Sequence, residues 1–222
     1  MREDLKKRWD SLVEKVVDRR EDFDKFVSEL EKRSTYFTAP ASPGYHCNWE
    51  EGLLEHSINV AEAAIAIKNV LAPGYSDESC VICGLFHDLG KGPLDRPYYL
   101  FNEPTANQKK YGFVVAKPFK YNEDPQIFMT VPQTSVRQIT QYIDLTDWEY
   151  QAILIHDGVY VDENKAYGTK ETPFALILHY ADSWSGFILE GSMKPSEDGK
   201  RYEKKYNTSR ELLVKVKGRL GE

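Results

Sequence analysis

Cysteine is scarce in this chain: three among 222 residues, an odd number that closes no disulfide framework. Cys80 and Cys83 form a C-x-x-C, but no second pair completes a zinc ribbon. They lie among Val81, Ile82, Leu85 and Phe86, which predicts two buried helical thiols rather than a redox couple. Long apolar runs are missing: nothing approaches the ~18 residues that span a bilayer. Residues Met1 to Lys7 are charged and carry no apolar signal core, so a cytoplasmic protein with no membrane partner is expected. Positive charge is not in excess. Lys and Arg total 29 against 35 Asp and Glu, a formal net charge of -6. That balance speaks against broad electrostatic binding of duplex nucleic acid and leaves room for a local phosphate pocket. Low-complexity segments and internal repeats are absent.

What is present is helical patterning. Residues 1–33 repeat apolar side chains at three and four (Leu5, Trp9, Leu12, Val13, Val16, Phe23, Phe26, Leu30), which predicts one long helix. Pro40, Pro43 and Gly44 then mark a loop. A second helix is expected over about 49–71, stopped by Pro73-Gly74, and a third over about 77–89, capped by Ser76 and ended by Gly90 and Gly92. From Pro93 to Pro132 prolines interrupt dense Tyr and Phe, and residues 111–117 read as a short strand or hairpin arm. Helix signals resume over 135–143. Thr146 and Glu149 form a capping box for a helix reaching about His156, and 173–189 is another helix. The expected class is mainly α: a helical bundle with a small irregular or β-hairpin insert. We read one domain over 1–222, with an N-terminal helix over 1–35, a core over 36–190 holding the insert 93–132, and a tail over 191–222. The tail ends in an amphipathic stretch, Glu211 to Leu220. The long first helix could pack on its own domain or on a second copy, so a homo-oligomer stays open.

Histidine is rare, with five in the chain, and three of the five stand at the edges of apolar helical runs. His87 is followed directly by Asp88 at the end of an apolar helix. Such a pair is costly when buried without partners, and a divalent cation would supply one. Imidazole nitrogen and carboxylate oxygen suit Mn, Fe, Co, Ni or Zn. His56, His87, Asp88 and Asp182 come from three predicted helices, and helical bundles build metal sites from inward-facing ligands in this way.

The order H…HD…D resembles the signature of the HD-domain metal-dependent phosphohydrolases. Gly52-Leu53-Leu54-Glu55-His56-Ser57 is similar to the family's GGLLEHS, and Leu85-Phe86-His87-Asp88-Leu89-Gly90-Lys91 to its LLHDLGK. Thr38 to His46, Leu145 to Glu149 and Ala152 to Gly158 resemble a branch common in phages and Gram-positive bacteria. The resemblance covers roughly residues 36–190. It implies an HD-type helical bundle, the metal ligands His56, His87, Asp88 and Asp182, and a divalent ion (Mn, Fe, Co, Ni, Mg or Zn). One departure stands out. Many relatives in that branch carry HGEKS where this chain has Val131-Pro132-Gln133-Thr134-Ser135, so one metal rather than two is expected. Second-site ligands could still come from His156, Asp157 or His179.

The implied chemistry is hydrolysis of a phosphoester or phosphoanhydride by a metal-activated water. Asp88 would bind metal and orient the water, Lys91 would neutralise phosphate charge, and His156 would protonate the leaving oxygen. Tyr98, Tyr99, Phe101, Tyr111, Phe113, Phe119 and Tyr121 stand among Lys109, Lys110, Lys117 and Lys120, which favours a nucleotide substrate. The competing reading of that stretch is a satellite core with a solvated lysine face. The alternatives for the whole protein are a 3′–5′ exonuclease or phosphodiesterase on short single-stranded or cyclic nucleotides, and a non-catalytic nucleotide sensor.

Overall fold

The computed structural model describes residues 1–111, 118–124, 127–191, 193–195 and 202–204. The chain is mainly α, as its patterning predicts. Two N-terminal helices, α1 (Glu3–Val13) and α2 (Arg20–Arg33), lead into α3 (Gly52–Leu71) and α4 (Asp77–Phe86). A short 3-10 turn, Leu89–Lys91, follows α4. The insert holds β1 (Tyr99–Phe101), the short α5 (Ala106–Lys110) and β2 (Phe119–Tyr121). The helices α6 (Val131–Ile139), α7 (Asp147–Leu154) and α8 (Pro173–Trp184) complete the bundle. A second small antiparallel pair, β3 (Met193–Pro195) with β4 (Tyr202–Lys204), lies beyond it.

One contiguous apolar core draws on α1, α2, α3, α4, α6, α7 and α8. Its centre is aromatic: Phe86 packs edge-on against Phe26 at 5.0 Å and tilted against Phe23 at 5.5 Å. Helices α3 and α4 approach closely because position 84 is glycine. A Cβ there would stand 2.5 Å from the Ala61 Cα. That close crossing brings the ring of His56 to 5.2 Å from the ring of His87.

The structure corrects several expected boundaries. Residues 1–33 are two helices, not one. No proline or glycine announces the break. It is made by Glu78 of α4, whose Oε2 accepts the N–H groups of Val17 and Asp18 at 2.7 and 2.8 Å. Those donors need no helical partner, and Val16 turns into the core, 2% exposed. The helix expected over 135–143 starts at Val131, because Thr130 and Gln133 form a capping box with Pro132 in the first turn. Helix α4 stops at Phe86 and α7 at Leu154, both short of the predicted ends. The last helix gives way at Ser185 to a π-helical turn, Ser185–Leu189. Ser76 caps α4, and Thr146 with Glu149 caps α7, as read from the sequence. A hairpin does occupy the insert, built from β1 and β2 in the register Tyr99 to Tyr121. Tyr111 closes the turn after α5, and the rest of the strand expected over 111–117, with the amphipathic stretch 211–220, lies outside the described residues. Cys80 and Cys83 are buried core thiols, and burial pushes Cys80 up to about 12. Among the described residues no helix is long and apolar enough to cross a membrane.

Candidate metal centre

His56 lies in the second turn of α3, and its ring points into the bundle. His87 and Asp88 follow α4, where the helix ends and the chain turns. Asp182 is on the last turn of α8, and His156 stands two residues past α7. All five converge. His56 Nε2 is 3.1 Å from Asp182 Oδ1 and 3.6 Å from Asp88 Oδ2. His87 Nε2 is 3.6 Å from Asp88 Oδ2 and 3.8 Å from Asp182 Oδ1. His156 Nε2 is 3.4 Å from Asp88 Oδ1. Ligand atoms about 2.1 Å from one ion stand about 3.0 to 3.5 Å apart at octahedral or tetrahedral angles. The imidazole–carboxylate pairs therefore stand within a few tenths of an ångström of the spacing around one cation, and the ligand atoms gather in two overlapping sets, His56 with His87 and Asp182, and His87 with Asp88 and His156.

The histidines are oriented from behind. His87 Nδ1 donates to Gly84 O and His156 Nδ1 to Ile153 O, each at 2.8 Å. His56 Nδ1 donates to Glu190 Oε1 at 2.8 Å. Nδ1 is thus the donor in each ring, and Nε2 is the atom left to face the centre, the arrangement found where imidazole binds metal. The Nε2 atoms of His56 and His87 are buried and satisfy no hydrogen bond. Two orphaned imidazole nitrogens beside two carboxylates carry a desolvation cost that a divalent ion removes. The residues present thus fit a divalent metal with N and O ligands.

The field at the site is that of a cation trap. Burial opposes ionisation of Asp88, but Lys91, His87 and His156 outweigh it and hold the carboxyl well below its usual range. Burial likewise opposes charge on Asp182, and His56 and His87 keep it ionised. Burial alone would depress His56; Glu190 and Asp182 outweigh it and raise the ring to about 10. His156 is raised to about 9 against burial, by its contact with Asp88 and by Asp157. Burial wins only at His87, which falls to about 4. The carboxylates that attract protons to His56 and His156 attract a cation to the same place.

Lys91 sits where the sequence places it, three residues past Asp88, and its Nζ pairs with Asp88 Oδ2 at 2.5 Å. Burial opposes its charge and Asp88 more than restores it. The turn that carries Asp88 and Lys91 is clamped: Gly90 N–H donates to Ser135 Oγ at 2.9 Å, and a Cβ on Gly90 would stand 2.4 Å from Val131 O. The serine shared with HGEKS is thus a clamp on this turn, and Val131 offers no imidazole beside it. The site opens to solvent past Asp182, 22% exposed, Lys91, 21% exposed, and Asp157, 51% exposed. His179 does not face the cluster; its Nδ1 donates to His156 O at 2.7 Å and steadies the loop after α7. Glu190 was invisible to sequence reasoning. It lies 134 residues from His56 in the chain, and no motif announces it.

Residues 53–186 match the family model described as the HD domain, more than half of the chain, and the match spans His56, His87, Asp88, His156 and Asp182. No curated protein and no solved structure matches.

Proposed function

The chain belongs to the HD-domain family of metal-dependent phosphohydrolases, and on that premise we propose that it hydrolyses a phosphoester or phosphoanhydride bond of a nucleotide. The observation that carries this reading is the pair of orphaned Nε2 atoms on His56 and His87, with Asp88 and Asp182 within 3.1–3.8 Å of them. His56, His87, Asp88 and Asp182 would hold the ion. When bound, such an ion polarises a phosphoryl oxygen and brings the pKa of a coordinated water towards ~7.

The chain's own residues supply the rest. Asp88 has a second oxygen on the His156 side and orients the attacking water. Lys91 keeps its charge at the mouth and meets an incoming phosphate. His156 stands beside Asp88 and delivers a proton to the leaving oxygen. The hairpin supports a nucleotide. Tyr99 lies close enough to feel the charges of Lys91 and Asp88. It packs at 4.9 Å from Tyr98 and 5.5 Å from Tyr121. Tyr99 itself is buried, in keeping with a satellite core, but Tyr121, packed on Tyr99, is half exposed and offers a ring face, as does Phe101 farther along the hairpin. An aromatic face next to a cation suits a base joined to a phosphate. Phe113 and Lys117 lie outside the described residues.

The test is metal removal followed by readdition of Mn, Co, Ni, Mg or Zn. Each form is incubated with nucleoside mono- and triphosphates, cyclic dinucleotides and a short single-stranded oligonucleotide. Metal-dependent release of phosphate, pyrophosphate or a mononucleotide, lost in Asp88→Ala, is expected from a nucleotide. Release from the oligonucleotide alone would reassign the substrate. Metal bound with no turnover anywhere would reassign the protein as a nucleotide sensor.

A further inference from the structure

Glu190 is the least expected charge in the molecule. Its side chain is 2% exposed, and it lies beyond the segment that matches the HD domain. Its carboxylate is fully used. Oε1 accepts from His56 Nδ1 at 2.8 Å and from Asn59 Nδ2 at 3.0 Å, and Oε2 accepts from His46 Nδ1 at 2.5 Å. Burial opposes its ionisation, and His56 and His46 outweigh it.

The backbone is bent to place it. Position 190 is eight steps on from Asp182, and eight α-helical steps at about 100° each would carry Glu190 roughly 80° off the face of Asp182. The chain instead makes a π turn over Ser185–Leu189, and Glu190 N–H donates to Ser185 O, five residues back, at 2.9 Å. The wider turn rotates less per residue and brings Glu190 back over α3. The same run of chain thereby flanks both sides of one imidazole: Asp182 Oδ1 stands 3.1 Å from Nε2, and Glu190 accepts from Nδ1.

We propose that Glu190 is a positioning residue that fixes the ring and tautomer of His56 and, through His46, anchors the loop before α3 to the metal centre. This rests on His56 being a metal ligand. A carboxylate behind a ligating histidine fixes its tautomer and raises its basicity, and loss of such a partner typically costs 10–100-fold in metal affinity. His87 and His156 use backbone carbonyls for the same purpose, so they are internal controls.

The experiment loads wild type, Glu190→Gln and Glu190→Ala with Zn²⁺. Affinity is measured by chelator competition, and the imidazole nitrogens are followed by long-range ¹H–¹⁵N correlation. The expected result is a 10–100-fold loss of Zn²⁺ affinity in both variants. The His56 Nδ1–H signal should shift or vanish while those of His87 and His156 stay in place. Glu190→Gln keeps the shape of the side chain, so it reports even where Glu190→Ala does not fold. Unchanged affinity with an unchanged His56 signal would overturn the proposal. So would a shift of all three histidines together, which marks a general structural role. Failure of the wild type to bind Zn²⁺ at all would instead remove the ligand reading on which the proposal stands.

Discussion

Asp88 faces His56, His87, His156 and Lys91 at once, and no other side chain in the cluster is asked to do as much. Replacing it leaves those four groups without their shared partner. Asp88→Ala and Asp182→Ala are each expected to abolish metal retention at micromolar ion, measured as bound metal after gel filtration, with helical content unchanged. Gly90 tests the turn that carries Asp88. A Cβ there meets backbone, which cannot swing aside as a side-chain tip would. Gly90→Ala should cost about 1–3 kcal/mol through overpacking, a fall of roughly 2–4 °C per kcal/mol in a melting curve. A melting curve unchanged in Gly90→Ala would contradict the clamp. The residues that converge on the site are legible in the sequence because they sit in short runs with fixed neighbours. Glu190 is not, because its role depends on a π turn and on a partner 134 residues away.

Elements are joined by a half-buried cation that spacing does not reveal. Arg19, in the break between α1 and α2, reaches two helices. Its Nε donates to Glu78 at 2.6 Å, and Nη1 and Nη2 donate to Glu149, each at 2.8 Å. Glu149 is fully buried and also closes the capping box of α7. Arg19→Ala leaves that buried carboxylate without its cation, held by the Thr146 donors, and should cost about 3–5 kcal/mol at neutral pH, read by denaturant unfolding. The sign with pH follows from both glutamates being held below their usual value, Glu78 and Glu149 alike, with burial opposing and Arg19 outweighing it. Their contribution is present above the unfolded value near ~4.3 and is lost as pH falls through the lower folded values. The gap between wild type and Arg19→Ala should therefore narrow below about pH 4. A gap that widens in acid would contradict it. The hairpin of β1 and β2 is a separate element with a separate role. Tyr121→Ala should raise KM for a nucleotide by roughly tenfold, as loss of about 1–3 kcal/mol of stacking predicts, with little change in melting temperature. The periodicity of residues 1–33 predicts helix correctly on both sides of the break. The break itself is written in Glu78, 60 residues from Asp18, and so is hidden from any local pattern.

At the scale of the whole molecule, the bundle does one thing for the site: it holds three imidazoles and two carboxylates together under a shared desolvation cost. The class of fold was legible because apolar spacing and caps act locally, at Ser76 and at Thr146 with Glu149. The convergence was legible only through the resemblance of its flanks, since spacing alone does not bring α3, α4 and α8 together. Glycine at 84 and at 90 is what lets backbones close to the required distance, and its meaning shows only in three dimensions. The most direct measurement is a titration of metal-free protein with Mn²⁺, recording bound metal and nucleotide hydrolysis in the same samples, for wild type and Asp182→Ala. The account predicts that turnover rises in step with the metal bound by wild type, and that Asp182→Ala neither holds the ion nor turns over. Hydrolysis that persists without metal, or that survives in Asp182→Ala, would contradict it.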